Sequence, residues 1–352
     1  MFKGMAWAVL AWFVITQAHA QVTLLGSFAV ATGSTLCRSL ASPQAELALG
    51  GLSGLDYDPN SGLYWALSDD KKNPRIYQLE ISLNEQGIHG VHCVGVVAIQ
   101  GSDGLPLRPN QADGEALRLF GQQLLWSSEQ RGGAAVPVVR SMGLDGRVGQ
   151  EFKLPARFGR GAGRVVANKS LEGMARMPDG HTAILAMEQP LRQDGGVHRL
   201  LVLDLQQGRV VGSYGYPQSV VAGHALEVVE LLALDATQLL VLERFHPHRY
   251  WGDVLVRLVL YDLSGAKNQL AQEHLSAASP GMGVKRWAVE LNALQTPAHR
   301  PASHNLASHN LDNQEAMSWG PRLADGRRTL VLVSDNNFNP QQRTLFLLLA
   351  FE

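Results

Sequence analysis

The chain has 352 residues, 30 basic and 31 acidic, with a formal net charge of −1. A balance this even, with no basic face standing out, argues against a nucleic-acid binder. Its 36 glycines and 17% charged residues suit many short strands joined by turns, in one large repeat domain or two ordinary ones.

Taken from the start, Lys3 precedes an apolar run over residues 5–15 and then Ala18-His19-Ala20. A basic start, a short apolar core and small residues before the cut predict a secretory signal peptide removed after Ala20. The run falls short of the ~20 residues that a membrane-spanning helix needs. The expectation is therefore a single domain over residues 21–352, periplasmic or secreted, with no membrane span after cleavage. Cys37 and Cys93 are the two cysteines of the chain. In an oxidising compartment they form one disulfide most simply, with two buried free thiols as the alternative.

A repeat follows. Units open at Ser53, Glu115, Glu172, Glu227 and Glu315, giving steps of 62, 57, 55 and 88 residues. The third shows the device plainly. Residues 173–177 and 182–187 read as antiparallel strands joined by Pro178-Asp179-Gly180, a turn by its chemistry. Glu172 precedes the first strand and Glu188 follows the second, so both carboxylates fall at the same open end. Further strands are predicted over residues 74–81, 91–99, 198–205, 209–214 and 254–263. No long segment carries helical periodicity. Four-stranded units repeated about an axis describe an all-β chain folded as a β-propeller. Five blades are expected, with six as the alternative. The fifth unit has room for three strands only, so the lone strand over residues 22–30 is expected to complete it and close the ring. Within residues 265–309, residues 285–291 read as an outer strand and the rest as a loop or the remains of a sixth blade. The near-duplication SHNLASHNL, residues 303–311, reads as a surface loop rather than a histidine metal site.

The first strand of a propeller blade lines the central channel. Asp69, Glu115, Glu129, Glu172, Glu188, Glu230, Glu243, Glu315 and Asp335 are thus expected to converge at one mouth. Crowded carboxylates raise one another's pKa, and a cation relieves this. Oxygen ligands without cysteine or clustered histidine point to calcium more than zinc. The alternative is that each acid pairs locally, since Lys71, Lys169, Arg131 and Arg244 stand within three residues of one of them. Residues 152–171 carry Lys153, Arg157, Arg160, Arg164 and Lys169 without an acid, around GRGAGR at 159–164. Such a segment can grip an anion, or be a solvated loop; it is not a P-loop, lacking the Gly-Lys-Ser/Thr ending. Ser53 in GGLSGL fails the nucleophile-elbow pattern, because position 55 is Leu and a strand follows. His246-Pro247-His248 reads as a turn.

Together these stretches resemble the phytase-like family known as "esterase-like activity of phytase". The resemblance rests on GGLSGLDYDP with ALSDD (50–70), DGEALR with LLWSSEQ (113–130) and NKSLEGMARMPDG with AMEQPL (168–191). LLALDATQLLVLER (231–244) and GPRLADGRRTLVLVSDNNF (320–338) complete it. One departure is Ala316, where the family more often has glycine after the glutamate. The resemblance implies an exported bacterial propeller that hydrolyses phosphate or other esters. In calcium-dependent propeller phytases, acids at the channel mouth hold calcium ions that bind substrate phosphate. On this reading Asp69, Glu115, Glu129, Glu230, Glu243, Glu315 and Asp335 are metal ligands. Glu172, Glu188 and Lys169 are the catalytic groups, and Arg131, Arg160, Arg164 and Arg244 bind the small-molecule ester. The alternatives are a non-catalytic propeller that binds a ligand or protein, and a metal-dependent lactonase or carboxylic-ester hydrolase.

Overall fold

In the computed structural model the described residues are 22–40, 44–129, 137–158, 165–166, 168–247, 254–294 and 311–351. The signal-peptide stretch, Arg131, Arg160, Arg164, His248 and the histidines of SHNLASHNL lie outside them.

Local turn chemistry sets the first hairpin of most blades. Asp58, Asp179, Asp235 and Asp325 each turn a carboxylate oxygen back onto the amide two residues on, at 2.7–3.0 Å. An aspartate that satisfies backbone donors in this way closes a tight turn without help from the rest of the fold. Strands follow on either side. Blade 1 comprises Leu52–Asp58, Leu63–Ser68, Arg75–Asn84 and Gly87–Ala98. Blade 2 comprises Gly114–Phe120, Gln123–Ser128, Val138–Gly143 and Val148–Phe152. Blade 3 comprises Leu171–Arg176, Thr182–Met187, Val197–Asp204 and Arg209–Pro217. Blade 4 comprises Glu227–Ala233, Gln238–Phe245, Leu255–Asp262 and Val284–Glu290. Blade 5 takes Asn313–Trp319, Arg328–Asp335 and Arg343–Phe351, with Val22–Ala31 as its outer strand.

The chain is an all-β propeller of five four-stranded antiparallel blades. The N-terminal strand pairs antiparallel with Arg343–Phe351 and closes the ring, as the sequence leads one to expect. The first strands of successive blades contact one another in order, and the fifth contacts the first. No sixth blade forms among the described residues. Residues 263–283 instead run along the outer edge of blade 3, where Asn268 and Gln269 accept the amides of Ser213 and Gly215 at 3.1 and 2.8 Å. Covering that edge removes a template for unwanted strand pairing.

Strand alternation sends successive side chains into the two neighbouring inter-blade spaces. In Leu63–Ser68, Tyr64 and Ala66 pack toward blade 5, while Trp65 and Leu67 pack toward blade 2. The five apolar clusters therefore each occupy one space between adjacent blades. Cys37 and Cys93 form a disulfide with Cα atoms 5.3 Å apart. It ties the hairpin of Leu36–Arg38 and Glu46–Ala48 to the outer strand of blade 1.

Candidate functional site at the acidic mouth

Each inner strand carries a β-bulge one or two residues from its start. A bulge inserts an unpaired residue and re-aims its side chain. The inserted residues are Ser53, Glu115, Glu172, Val229 and Glu315, one per blade. Two residues earlier stand Gly51, Asp113, Ser170, Glu227 and Asn313. Across from these, at the end of each second strand, stand Asp69, Glu129, Glu188, Arg244 and Asp335. Eleven of these fifteen positions line one mouth of the channel, whereas Val229 packs in the apolar space between blades 4 and 5. Among the described residues, nine carboxylates stand around this mouth's cavity of about 430 Å³ against three cations, Lys71, Lys169 and Arg244.

Local pairing accounts for some of the acids. Lys71 meets Asp113 at 2.9 Å, and Arg244 meets Glu315 at 2.8 Å. Lys169 bridges Glu188 and Glu227 at 2.7 and 2.9 Å. Glu129 accepts the Ser170 amide, and Asp335 accepts the Asn337 amide at 2.8 Å. Asp69, Glu115 and Glu172 have no hydrogen-bonding or ion-pair partner among the described residues. Both expectations from the sequence, pairing and convergence, coexist here.

The electrostatic consequence follows. Burial, then the neighbouring carboxylates, holds Glu115 and Glu172 well above the usual range. Asp335 is raised by burial and by Asp69 and Glu315. Asp69 is pushed up to about 7 by burial, Glu315 and Asp113. Burial and Glu227 raise Glu188 against the pull of Lys169 and Arg244. Glu227 is the exception: burial raises it, but Lys169 and Arg244 outweigh this and hold it at about 2.

The donors are all hard oxygens, and they come close enough to share a cation. Oxygens of Asp113, Glu115 and Glu129 lie within 4.8 Å of one another, as do those of Glu129, Glu172 and Glu188. Glu129 belongs to both groups. With Glu115 and Glu172 otherwise unpartnered among the described residues, this set could hold a metal ion. Two asparagines on the rim, Asn168 and Asn337, hold positive φ of 59° and 47°. Non-glycine residues adopt that backbone at some energetic expense, and such strain concentrates at functional sites.

The structure does not bring Glu230 or Glu243 to this mouth. In blade 4 the bulged residue is Val229, so Glu230 takes the next position, held elsewhere by Gly54, Ala116, Gly173 and Ala316. From there it turns to the channel interior and meets Arg118 at 2.8 Å. A Cβ on Gly173 would lie 2.8 Å from the Glu230 Cα, which is why the neighbouring strand has glycine at this height. Ala316 is fully buried at the same level, so a methyl group is accepted there. Glu243 faces the space between blades 3 and 4, accepting bonds from Ser219 at 2.7 Å and Lys285 at 2.8 Å, and from Tyr216. Arg244, one residue on, occupies the place of an acid. Conversely, Asp113, Glu227 and Asn313 line the cavity without standing in the ligand set expected from sequence, and so does His246.

The solved structures that match this chain share little sequence with it. The endo-arabinase from Bacteroides thetaiotaomicron is 11% identical over 89% of this chain and 96% of its own, with a TM-score of 0.44. The exo-β-1,3-galactanase from Phanerochaete chrysosporium is 10% identical over 91% and 64%, with a TM-score of 0.49. Hydrazine synthase from Kuenenia stuttgartiensis is 10% identical over 83% and 67%, with a TM-score of 0.38. No curated protein sequence matches the chain. Residues 47–338 match the phytase-like family, "esterase-like activity of phytase", and the chain belongs to that family.

Proposed function

We propose that the chain is an exported ester hydrolase that acts on a phosphate ester with the help of calcium held at the acidic mouth. The observation that carries this reading is the pair of carboxylate triads joined at Glu129, with Glu115 and Glu172 unpartnered among the described residues. Among the described residues nine acids stand against three cations, a balance that would repel a phosphate unless a cation is bound there. Asp113, Glu115, Glu129, Glu172 and Glu188 are its ligands, with Asp69, Glu315 and Asp335 around them. Bound there, calcium supplies charge neutralisation and a more acidic bound water.

The remaining roles belong to side chains of the chain. Burial and the neighbouring carboxylates raise the pKa of Glu172 and Glu188, a crowding that a bound cation relieves. Lys169 stays protonated between Glu188 and Glu227 and fixes their positions. Arg244 does the same for Glu315 and reaches toward Glu188 at 3.9 Å. Arg131, Arg160 and Arg164 are assigned to gripping the ester's anionic group. Export agrees with the disulfide.

One observation favours a second reading. Lys71, Lys169 and Arg244 are all engaged by carboxylates, which leaves no described cation on this mouth free to grip an anion. A calcium-loaded propeller that binds a ligand without turning it over fits that arrangement. Hydrolysis of p-nitrophenyl phosphate and of a simple lactone, with calcium and with chelator, separates the readings. Calcium-dependent release from the phosphate ester, lost in Glu172→Gln, supports the first. Calcium binding with neither substrate consumed supports the second, and lactone cleavage alone replaces the substrate class.

A further inference from the structure

The other mouth of the channel carries the reverse charge. The inner strands end there on Phe120, Arg176, Ala233 and Trp319, around a cavity of about 470 Å³. That volume is in the range of small-molecule sites, ~300–1,000 Å³. Arg118 forms its floor, and its pairing with Glu230 separates the two mouths.

Two arginines on this wall make no salt bridge among the described residues at contact distance. Arg328 sits over the Trp319 ring, its Cζ 3.6 Å from the centroid, and has no hydrogen bond or ion pair among the described residues. The ring is itself fixed, since its Nε1–H donates to the Ala233 carbonyl at 3.1 Å. Arg176 lies 5.9 Å from the Phe120 centroid, among the described residues donates to the Leu119 carbonyl at 2.9 Å, and feels the charge of Asp56. Arg322 stands close enough to Arg328 to add to the positive field. The acid of this wall, Asp56, is turned inward to accept the Leu119 amide at 2.7 Å. An arginine stacked on an aromatic ring keeps its N–H edge available, and that edge matches a carboxylate or phosphate in two-pronged fashion.

We propose that this mouth is a binding site for a small organic anion bearing a carboxylate or phosphate, clamped by Arg328 and Arg176 and separate from the acidic mouth. It uses none of the acidic-mouth residues, so it stands whether or not calcium binds there.

The test is calorimetric titration of the purified protein in excess chelator, with citrate as the carboxylate probe and inorganic phosphate as the other. Arg328→Gln, Arg176→Gln and Glu172→Gln serve as variants, with thermal melts to confirm folding. At least one probe is expected to bind with a Kd below about 1 mM. Affinity should fall at least ~10-fold in each arginine variant and hold in Glu172→Gln. Citrate alone or phosphate alone identifies the group recognised, and both outcomes support the site. Binding of neither probe overturns it, as does binding that both arginine variants retain.

Discussion

Arg118 and Glu230 meet at 2.8 Å, and between them they touch the inner strands of all five blades. Arg118 donates to the carbonyls of Leu55, Leu117, Leu231 and Met317, in blades 1, 2, 4 and 5. Glu230 accepts the Met174 amide of blade 3 at 2.9 Å and its neighbour's, Leu231, at the same distance. Both side chains are shielded from water, at 1% and 0% exposure. Burial pushes the Glu230 carboxyl up, while Arg118 and the two amides pull it down.

Breaking a buried pair leaves one charge uncompensated, which destabilises by roughly 3–5 kcal/mol. Arg118→Leu and Glu230→Gln should each lower the urea midpoint by that equivalent. The double variant should lose less than the sum, because the two side chains are coupled. Glu230→Gln should leave calcium affinity unchanged, and a large drop in affinity would place Glu230 among the ligands after all.

Stability of the calcium-free protein should fall as pH rises. Asp69 moves from 3.8 in the unfolded chain to about 7 when folded, and Glu115, Glu172, Glu188 and Asp335 move the same way. Between about pH 4 and 7 the folded chain therefore holds more protons than the unfolded one, and stability is lost through that window. Glu227, held at about 2, acts oppositely below the window, and His198, lowered by burial from 6.5 to about 4, acts oppositely within it but is one group against five. Scanning calorimetry in chelator should show Tm falling on the order of 5 °C from pH 5 to 8. Calcium should remove most of the slope.

Glu172→Gln should separate stability from binding. Removing one carboxylate from a crowd of nine relieves repulsion, so the chelated variant should melt a few degrees higher, on the order of 1 kcal/mol. Its calcium affinity should fall at least ~10-fold, since a ligand of one triad is gone. A variant that loses both stability and affinity would argue for a scaffold role instead.

The disulfide closes a loop of 56 residues in sequence separation. By chain entropy such a loop contributes about 4 kcal/mol. The Cys37→Ser, Cys93→Ser protein should unfold at correspondingly lower denaturant, and reduction of the native protein should reproduce the change.

Much of this was legible in residue order. Carboxylates flanking a short antiparallel hairpin fall at one end whatever surrounds them, so the convergence of Asp69, Glu115, Glu129, Glu172, Glu188, Glu315 and Asp335 could be read directly. Blade 4 could not. Its Glu-Val-Val-Glu sequence offers two acids, and only the bulge at Val229 decides that Glu227 faces the mouth while Glu230 faces Arg118. The Glu243-Arg244 pair is the same problem on the second strand, where a one-residue choice of register exchanges an acid for a base. Bulge position depends on neighbouring strands, and a single strand's sequence does not carry it.

Calcium titration of the purified protein by calorimetry, beside its Glu172→Gln and Glu188→Gln variants, tests the central claim most directly. The predicted result is micromolar or tighter binding in the parent, on the order of one or two ions, weakened in both variants while all three remain folded. No binding by a folded parent would contradict the claim and leave the acidic mouth to another ligand.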